Sequence, residues 1–428
     1  MPDILVVGSG LAGSVAALQL KARGADVAMA SRSWGVTSMS TGALDLAYSP
    51  ALSPSHNVPR TIAEHIMDIV AHRRRHPYAV MGVEKTVQNL RQGWNTLKAA
   101  LEGTGLDIGD LSLEAENGVY ASSLGVGWFA GAVFGPHRRG DLGRWSGCSV
   151  GFLSIAGYGG FNPGRIQAGL HCDLQAMGLT PPTWVDAEVD LGLRGSGVSV
   201  AKGLETEPIL ERLLEGARAL AGRVDCVIAP PVLGLDSHQT IRERLGEVVG
   251  APVVEGLGNV PSVPGIRLQR ALDGACAKAG IERLGGVASV DSDGDRVSVV
   301  TVEEGASVPP GSLVLATGRF VSGGVAWGES CAESLLGLPV ITELGSLEVG
   351  SPHPVVRGRP EESHPLMTAG VQVNRALQPM REGHVAFENV FAAGMVVGGF
   401  ASRYALCADG VALSTACAAA EGALGVAS

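Results

Sequence analysis

Ten residues near the start of the chain constrain its fold more than any others: the apolar run Ile4-Leu5-Val6-Val7 passes directly into Gly8-Ser9-Gly10-Leu11-Ala12-Gly13. Four apolar residues bounded by glycine predict a short buried strand. Ser14 to Gly24 then places apolar residues at helical spacing, carries Lys21 and Arg23 in its last turn and stops at a glycine. Val27-Ala28-Met29-Ala30 reads as a second strand. Strand, glycine turn, helix and strand make one βαβ unit. In such a unit Gly8 permits the tight turn, Gly10 lets backbone approach a pyrophosphate and Gly13 lets helix pack on strand. The helix start at Leu11 and Ala12 then aims its N–H groups at the phosphates. The prediction is a dinucleotide site with one part missing: the acidic residue that bonds the adenosine ribose would fall at Ala30 or Ser31, where the chain reads Ala30-Ser31-Arg32. Ser31 and Arg32 are therefore the side chains expected at that end.

A chain of 428 residues has room for two or three lobes, and its 46% hydrophobic content excludes disorder. Its 61 glycines follow neither a collagen period nor a linker composition, so they serve turns and close backbone approach. A net charge of −10 argues against a nucleic-acid footprint. No uninterrupted apolar stretch reaches the ~18 residues of a membrane span, so no direct span is expected. The run at residues 4–7 reads as a strand rather than a signal peptide, because Asp3 precedes it and the glycine turn follows. Seven cysteines without any CxxC spacing fit a reducing cytoplasm and offer no ligand set for an iron–sulfur cluster.

Ser33 to Leu46 is small and hydroxyl-rich. It resembles the strip that two-dinucleotide-fold flavoproteins of the succinate dehydrogenase and fumarate reductase type run beside the isoalloxazine. The resemblance implies flavin contacts at Ser38, Ser40, Thr41 and Gly42, where hydroxyls and bare amides can donate to ring atoms. Pro50, Pro54 and Pro59 mark a connection, and Ile62 to Val70 reads as a helix ending in the basic cluster His72–His76, taken as a solvated helix C-terminus. Residues 79–258 read as an inserted lobe. Its helices are expected at Val83–Leu101, Asn162–Met177, Glu207–Leu220 and His238–Val249, with short strands between them, and the mixture suggests an α+β cap. Leu313-Val314-Leu315-Ala316-Thr317-Gly318 and Asn389 to Gly394 are strands running into glycine; Gly398-Gly399 and a small-residue helix from Asp409 follow. By the same flavoprotein resemblance, Ala316, Thr317, Gly318, Gly394, Gly398, Gly399, Gly410 and Val411 are cofactor contacts, with the final helix aimed at the ring. The expected fold class is α/β: a Rossmann-like FAD/NAD(P)-binding domain of residues 1–75 and 259–428, with an inserted α+β cap domain of residues 79–258.

A narrower resemblance is carried by Thr41-Gly42-Ala43-Leu44-Asp45-Leu46, His76-Pro77-Tyr78, Pro231 to Leu235, Pro261-Ser262-Val263-Pro264-Gly265-Ile266-Arg267-Leu268-Gln269, Leu315 to Gly324 and Asn389 to Phe400. In these segments the chain resembles the B-subunit family of anaerobic glycerol-3-phosphate dehydrogenases. That resemblance implies a flavoprotein working with a catalytic A-type flavoprotein subunit and an iron–sulfur C-type subunit, oxidising a small phosphorylated polyol and passing electrons to quinone. It also implies a cytoplasmic chain, peripheral on the inner face of the membrane through its partners. The family implies FMN, but FMN has no pyrophosphate and would leave the glycine turn without purpose, so FAD is expected with FMN as the alternative. Arg267, Arg319 and His364 are the candidates for substrate chemistry. Two other readings stay open: a stand-alone FAD-dependent dehydrogenase of another small hydroxy compound, and a non-catalytic scaffold within an assembly.

Overall fold

The computed structural model describes residues 2–48, 60–328, 331–343, 345–346, 364–402 and 406–427. The three prolines of the connection after residue 49 lie outside the described residues.

A five-stranded sheet carries the fold, in the order Glu282–Leu284, Val27–Ala30, Ile4–Val7, Ser312–Leu315, Val390–Ala392, with every pairing parallel. Four of these strands are buried at every position, as expected where helices cover both faces of a parallel sheet. The register is level: Val7 pairs with Ala30 on one side and Leu315 on the other, and Leu315 pairs with Ala392. The glycine turn, Ser31, Ala316 and Ala393 therefore all leave the sheet along one edge. That level register is why three glycine elements far apart in sequence converge.

The helix Leu11–Ala22 packs on the C-terminal helix Ala408–Ala427, which packs in turn on the helix Val83–Leu101. By length and composition Ala408–Ala427 could cross a membrane, but 67% of its apolar window is buried inside the fold. Its alanines and glycines fit it between two other helices as a core element. Val83–Leu101 corrects an expectation. Its buried stripe of Leu90, Trp94, Leu97 and Leu101 joins the main core rather than that of the insert. A stripe announces burial but not its partner, and here Gly93 admits the Leu413 backbone, whose carbonyl lies 2.7 Å from where a Cβ would stand.

The insert is built around a four-stranded sheet, in the order Val253–Glu255, Cys226–Ala229, Ser149–Ile155, Thr183–Val189, again wholly parallel. Helices alternate with these strands along the chain instead of segregating, so this part of the cap is wound as an α/β unit with its own apolar core. The antiparallel hairpin Gly118–Ala121/Gly127–Ala130 flanks it. A short ladder joins the two bodies, Ala43 opposite Val133 and Leu44 opposite Ala132.

Candidate cofactor site

The glycine turn is held by backbone contact. Gly8 has φ +115°, and a Cβ there would lie 2.2 Å from the Ala316 carbonyl oxygen; one at Gly13 would lie 1.9 Å from the Gly8 oxygen. Gly10 caps the helix without any side-chain bond and no acidic residue occupies the first turn, so the positive end of the dipole faces outward uncompensated. Around it Leu11 N–H donates to Thr37 Oγ1 at 2.7 Å, Gln269 Nε2 donates to the Ser9 carbonyl at 2.8 Å, and Ser9 and Ser31 share a hydroxyl bond at 2.8 Å.

A cavity of about 480 Å³ follows the carboxyl edge of the main sheet from this turn. Gly8, Gly10, Leu11, Ala12 and Gly394 line it. Ser31, Arg32, Ser40 and Thr41 line it too, as does the run Ala316-Thr317-Gly318. The Thr317 hydroxyl in that run is buried with no partner among the described residues, as a group facing a ligand would be. At the end of the second strand Ser31 occupies the place of the missing ribose acid, and Arg32 turns outward to an exposed ion pair with Glu303.

Seven expected contacts do not line the cavity. Gly13 packs beneath the turn, and Gly398, Gly399 and Gly410 lie against the backbone of Gly370, Arg75 and Leu46. Val411 is buried in the core, Gly42 faces the His137 ring, and Ser38 turns its hydroxyl to the Gly35 carbonyl. These residues shape the site from behind. The strip that includes Ser38 and Gly42 is clamped by the Pro-Ser-x-x-Gly segment. Ser262 caps the helix Val263–Lys278 by accepting from Gly265 N–H at 3.0 Å and donates to the Ser40 carbonyl. Gly265 must lack a side chain, because a Cβ would sit 2.4 Å from the Ser38 oxygen.

The three candidates for substrate chemistry have other surroundings, and none lines the cavity. Arg267 is buried against Glu255, its Nη1 donating to Oε2 at 2.5 Å and its Nη2 to Oε1 at 3.0 Å, while Nε donates to the Gly234 carbonyl. Arg319 donates to the carbonyls of Met395, Met367 and Val397, and its guanidinium lies 4.5 Å from the centre of the Phe400 ring. Burial pushes it down to about 9, so it stays a cation at neutral pH. Both arginines spend their donors on fixed protein acceptors, which makes them clamps. His364 is half-buried at the start of the turn Pro365–Thr368.

Three carboxyl groups that were not expected do line the cavity: Asp45, Asp409 and Glu333. Glu333 is 1% exposed, pushed upward by burial, and accepts the N–H groups of Leu335 and Leu336. Asp45 and Asp409 come from opposite ends of the sequence and meet, Asp45 N–H donating to Asp409 Oδ2 at 2.9 Å. Thr41-Gly42-Ala43-Leu44-Asp45-Leu46 contained the first of them, but nothing local pairs it with a residue 364 positions on.

The FAD binding domain family matches residues 3–125 and 341–411, and the chain carries an FAD-binding domain. Among curated proteins, it is 26% identical to the B subunit of the anaerobic glycerol-3-phosphate dehydrogenase of Haemophilus ducreyi, over 98% of each chain. The corresponding B subunit of Glaesserella parasuis is 25% identical, again over 98% of each. Among solved structures, an open-conformation flavocytochrome c3 fumarate reductase is similar over 100% of this chain and 78% of that one, with 11% identity and a TM-score of 0.46.

Proposed function

We propose, for a chain that belongs to the B-subunit family of anaerobic glycerol-3-phosphate dehydrogenases, the role of an FAD-carrying component. It serves the oxidation of sn-glycerol 3-phosphate to dihydroxyacetone phosphate and relays the electrons towards quinone. Bound FAD supplies two-electron redox chemistry; the chain supplies the cradle. Gly8, Gly10 and the bare helix start receive the pyrophosphate, Thr317 offers an unpartnered hydroxyl, and the clamped strip at Ser40 and Thr41 walls one side of the cavity.

The observation that carries the relay role is an imbalance in the site. The glycine turn, the Ser40-Thr41 strip and the Ala316-Thr317-Gly318 run of this chain all line the cofactor cavity, but its only lining cation among the described residues is Arg32, already paired with Glu303. A phosphorylated polyol needs cations for its phosphate and a base at its alcohol. We assign those groups to an A-type flavoprotein partner and the iron–sulfur cluster to a C-type partner, with the assembly peripheral to the inner face of the cytoplasmic membrane. The test is to purify the chain alone, release its cofactor by heat and identify it by mass, then mix the holoprotein with glycerol 3-phosphate anaerobically. FAD and slow or absent bleaching are expected, with rapid turnover once both partners are added. Rapid bleaching of the single chain would overturn the relay role in favour of a self-sufficient dehydrogenase.

A further inference from the structure

With the glycine turn holding the pyrophosphate and the end of the second strand the adenosine side, as the FAD reading has it, the ring of a bound flavin would be left to the rest of the cavity. Ala43, Asp45, Asp409 and Ala412 line the cavity beside the Ser40-Thr41 strip and the start of the last helix. Asp45 ends the short ladder that ties the strip to the insert, and Asp409 opens the C-terminal helix. The insert holds the first of them, Trp128 Nε1 donating to Asp45 Oδ1 at 2.9 Å. The helix holds its backbone, Gly410 N–H donating to the Asp45 carbonyl at 3.0 Å. Both residues line the cavity and are half-buried. We propose that Asp45 and Asp409 form a proton-holding pair, giving one proton into the cavity when the bound flavin accepts two electrons and taking it back when the electrons leave. The proposal rests on the FAD reading above and adds the proton path. The balance is one proton and two electrons onto the flavin, the electrons coming from the partner flavoprotein and leaving to the iron–sulfur partner.

The surroundings suit the task. Burial pushes Asp45 up to about 6, against the Trp128 bond; burial and then the Asp45 charge push Asp409 up to about 7, against the bond from the Asp45 backbone. Two interacting carboxyls of this kind titrate as a pair and keep one proton near neutral pH. The other titratable groups packed around them hold fixed states. Tyr78 is pushed up by burial, Cys407 is pushed up by burial and by Asp45, and His76, beside Cys407, is pushed down to about 3 by burial, so all three are neutral. Arg319, whose charge acts on Cys407, stays a cation. Elsewhere in the cavity lining, Glu333 is also pushed upward by burial.

The test uses the whole chain and needs neither substrate nor partners, so its failure is separable from failure of the relay role. In flavin-free protein labelled with ¹³C at aspartate carboxyls, two interacting titrations near neutral pH are expected. Asp45→Asn and Asp409→Asn, which keep an oxygen for Trp128 and for the Asp45 N–H, should each leave one of them, shifted to lower pH. Trp128→Phe should move the Asp45 titration upward, because a bond to the charged form is lost. In holoprotein, the slope of flavin midpoint potential against pH should break where the pair titrates, and the break should vanish in Asp45→Asn/Asp409→Asn. Carboxyls that titrate only below about pH 5 would overturn the proposal, as would a wild-type break retained in the double variant. If the double variant retains no flavin, the two single variants decide by the same break.

Discussion

Arg267→Met tests the assignment of Arg267 as a clamp. The guanidinium and the Glu255 carboxylate are each 1% exposed, and Glu255 Oε1 also accepts Leu233 N–H at 2.8 Å. Removing the cation leaves a buried carboxylate whose one remaining bond is to an N–H group, and deprives the Gly234 carbonyl of its donor. Breaking a buried pair from one side costs about 3–5 kcal/mol, or a fall of about 1–1.7 M in urea midpoint at a slope near 3 kcal/mol/M. Glu255→Gln/Arg267→Met should recover part of that loss, since it removes the stranded charge. The pH dependence carries a definite sign. Burial acts to raise Glu255, but the Arg267 charge and bonds outweigh it and hold the group below its ordinary value. Its contribution to wild-type stability is therefore present above the unfolded value of about 4.3 and lost as pH falls through the lower folded value. In Arg267→Met burial is opposed by little more than the Leu233 bond, and the group moves upward. The variant is then most destabilised at high pH and recovers as the carboxyl takes a proton. The gap between the two proteins, read from urea midpoints, should be widest near pH 8 and narrow towards pH 5. A gap independent of pH would refute the stranded-charge reasoning and leave only lost packing.

Two further outcomes follow from the packing. Gly265→Ala puts a methyl 2.4 Å from the Ser38 oxygen and should weaken FAD by about tenfold as the strip moves, whereas Gly274→Ala on the same helix meets nothing within 4 Å and should stabilise by roughly 0.5–1 kcal/mol; equal effects on cofactor titration and on urea midpoint would contradict the clamp. Cys172 is exposed, Cys148 is half-buried and the other five thiols are buried, so a thiol reagent should show a fast phase that Cys172→Ser removes, and a fast phase surviving in Cys148→Ser/Cys172→Ser would mean that a buried thiol opens readily.

What could be read from the sequence was what is encoded locally. The turn at Gly8–Gly13, the strand at Leu313–Leu315 and the strand at Val390–Ala392 each announce themselves by an apolar run meeting glycine, and a level parallel register brings their ends together. The helix Val83–Leu101 shows the limit: its stripe was legible and its partner was not. The same limit hid the Asp45–Asp409 pair, since each aspartate alone looks like an ordinary residue in a polar strip or a helical first turn. Arg267 and Arg319 were singled out because a cation beside a glycine motif suggests substrate. Burial and a full set of protein acceptors decide otherwise, and neither is visible in composition or spacing.

The position of the helix Ala408–Ala427 between Leu11–Ala22 and Val83–Leu101 sets an order on biosynthesis. The core of the insert closes with residues up to Val263, so that lobe can consolidate while the ribosome is still translating the second half. The first strand cannot. Its sheet neighbour at residues 312–315 and the helix that covers its layer are made after the insert is finished, and the cofactor cavity draws its wall from both. Until residue 427 has cleared the exit tunnel, the apolar faces of the two earlier helices stay open to solvent and to chaperones, and the cofactor cavity lacks the wall that the last helix supplies.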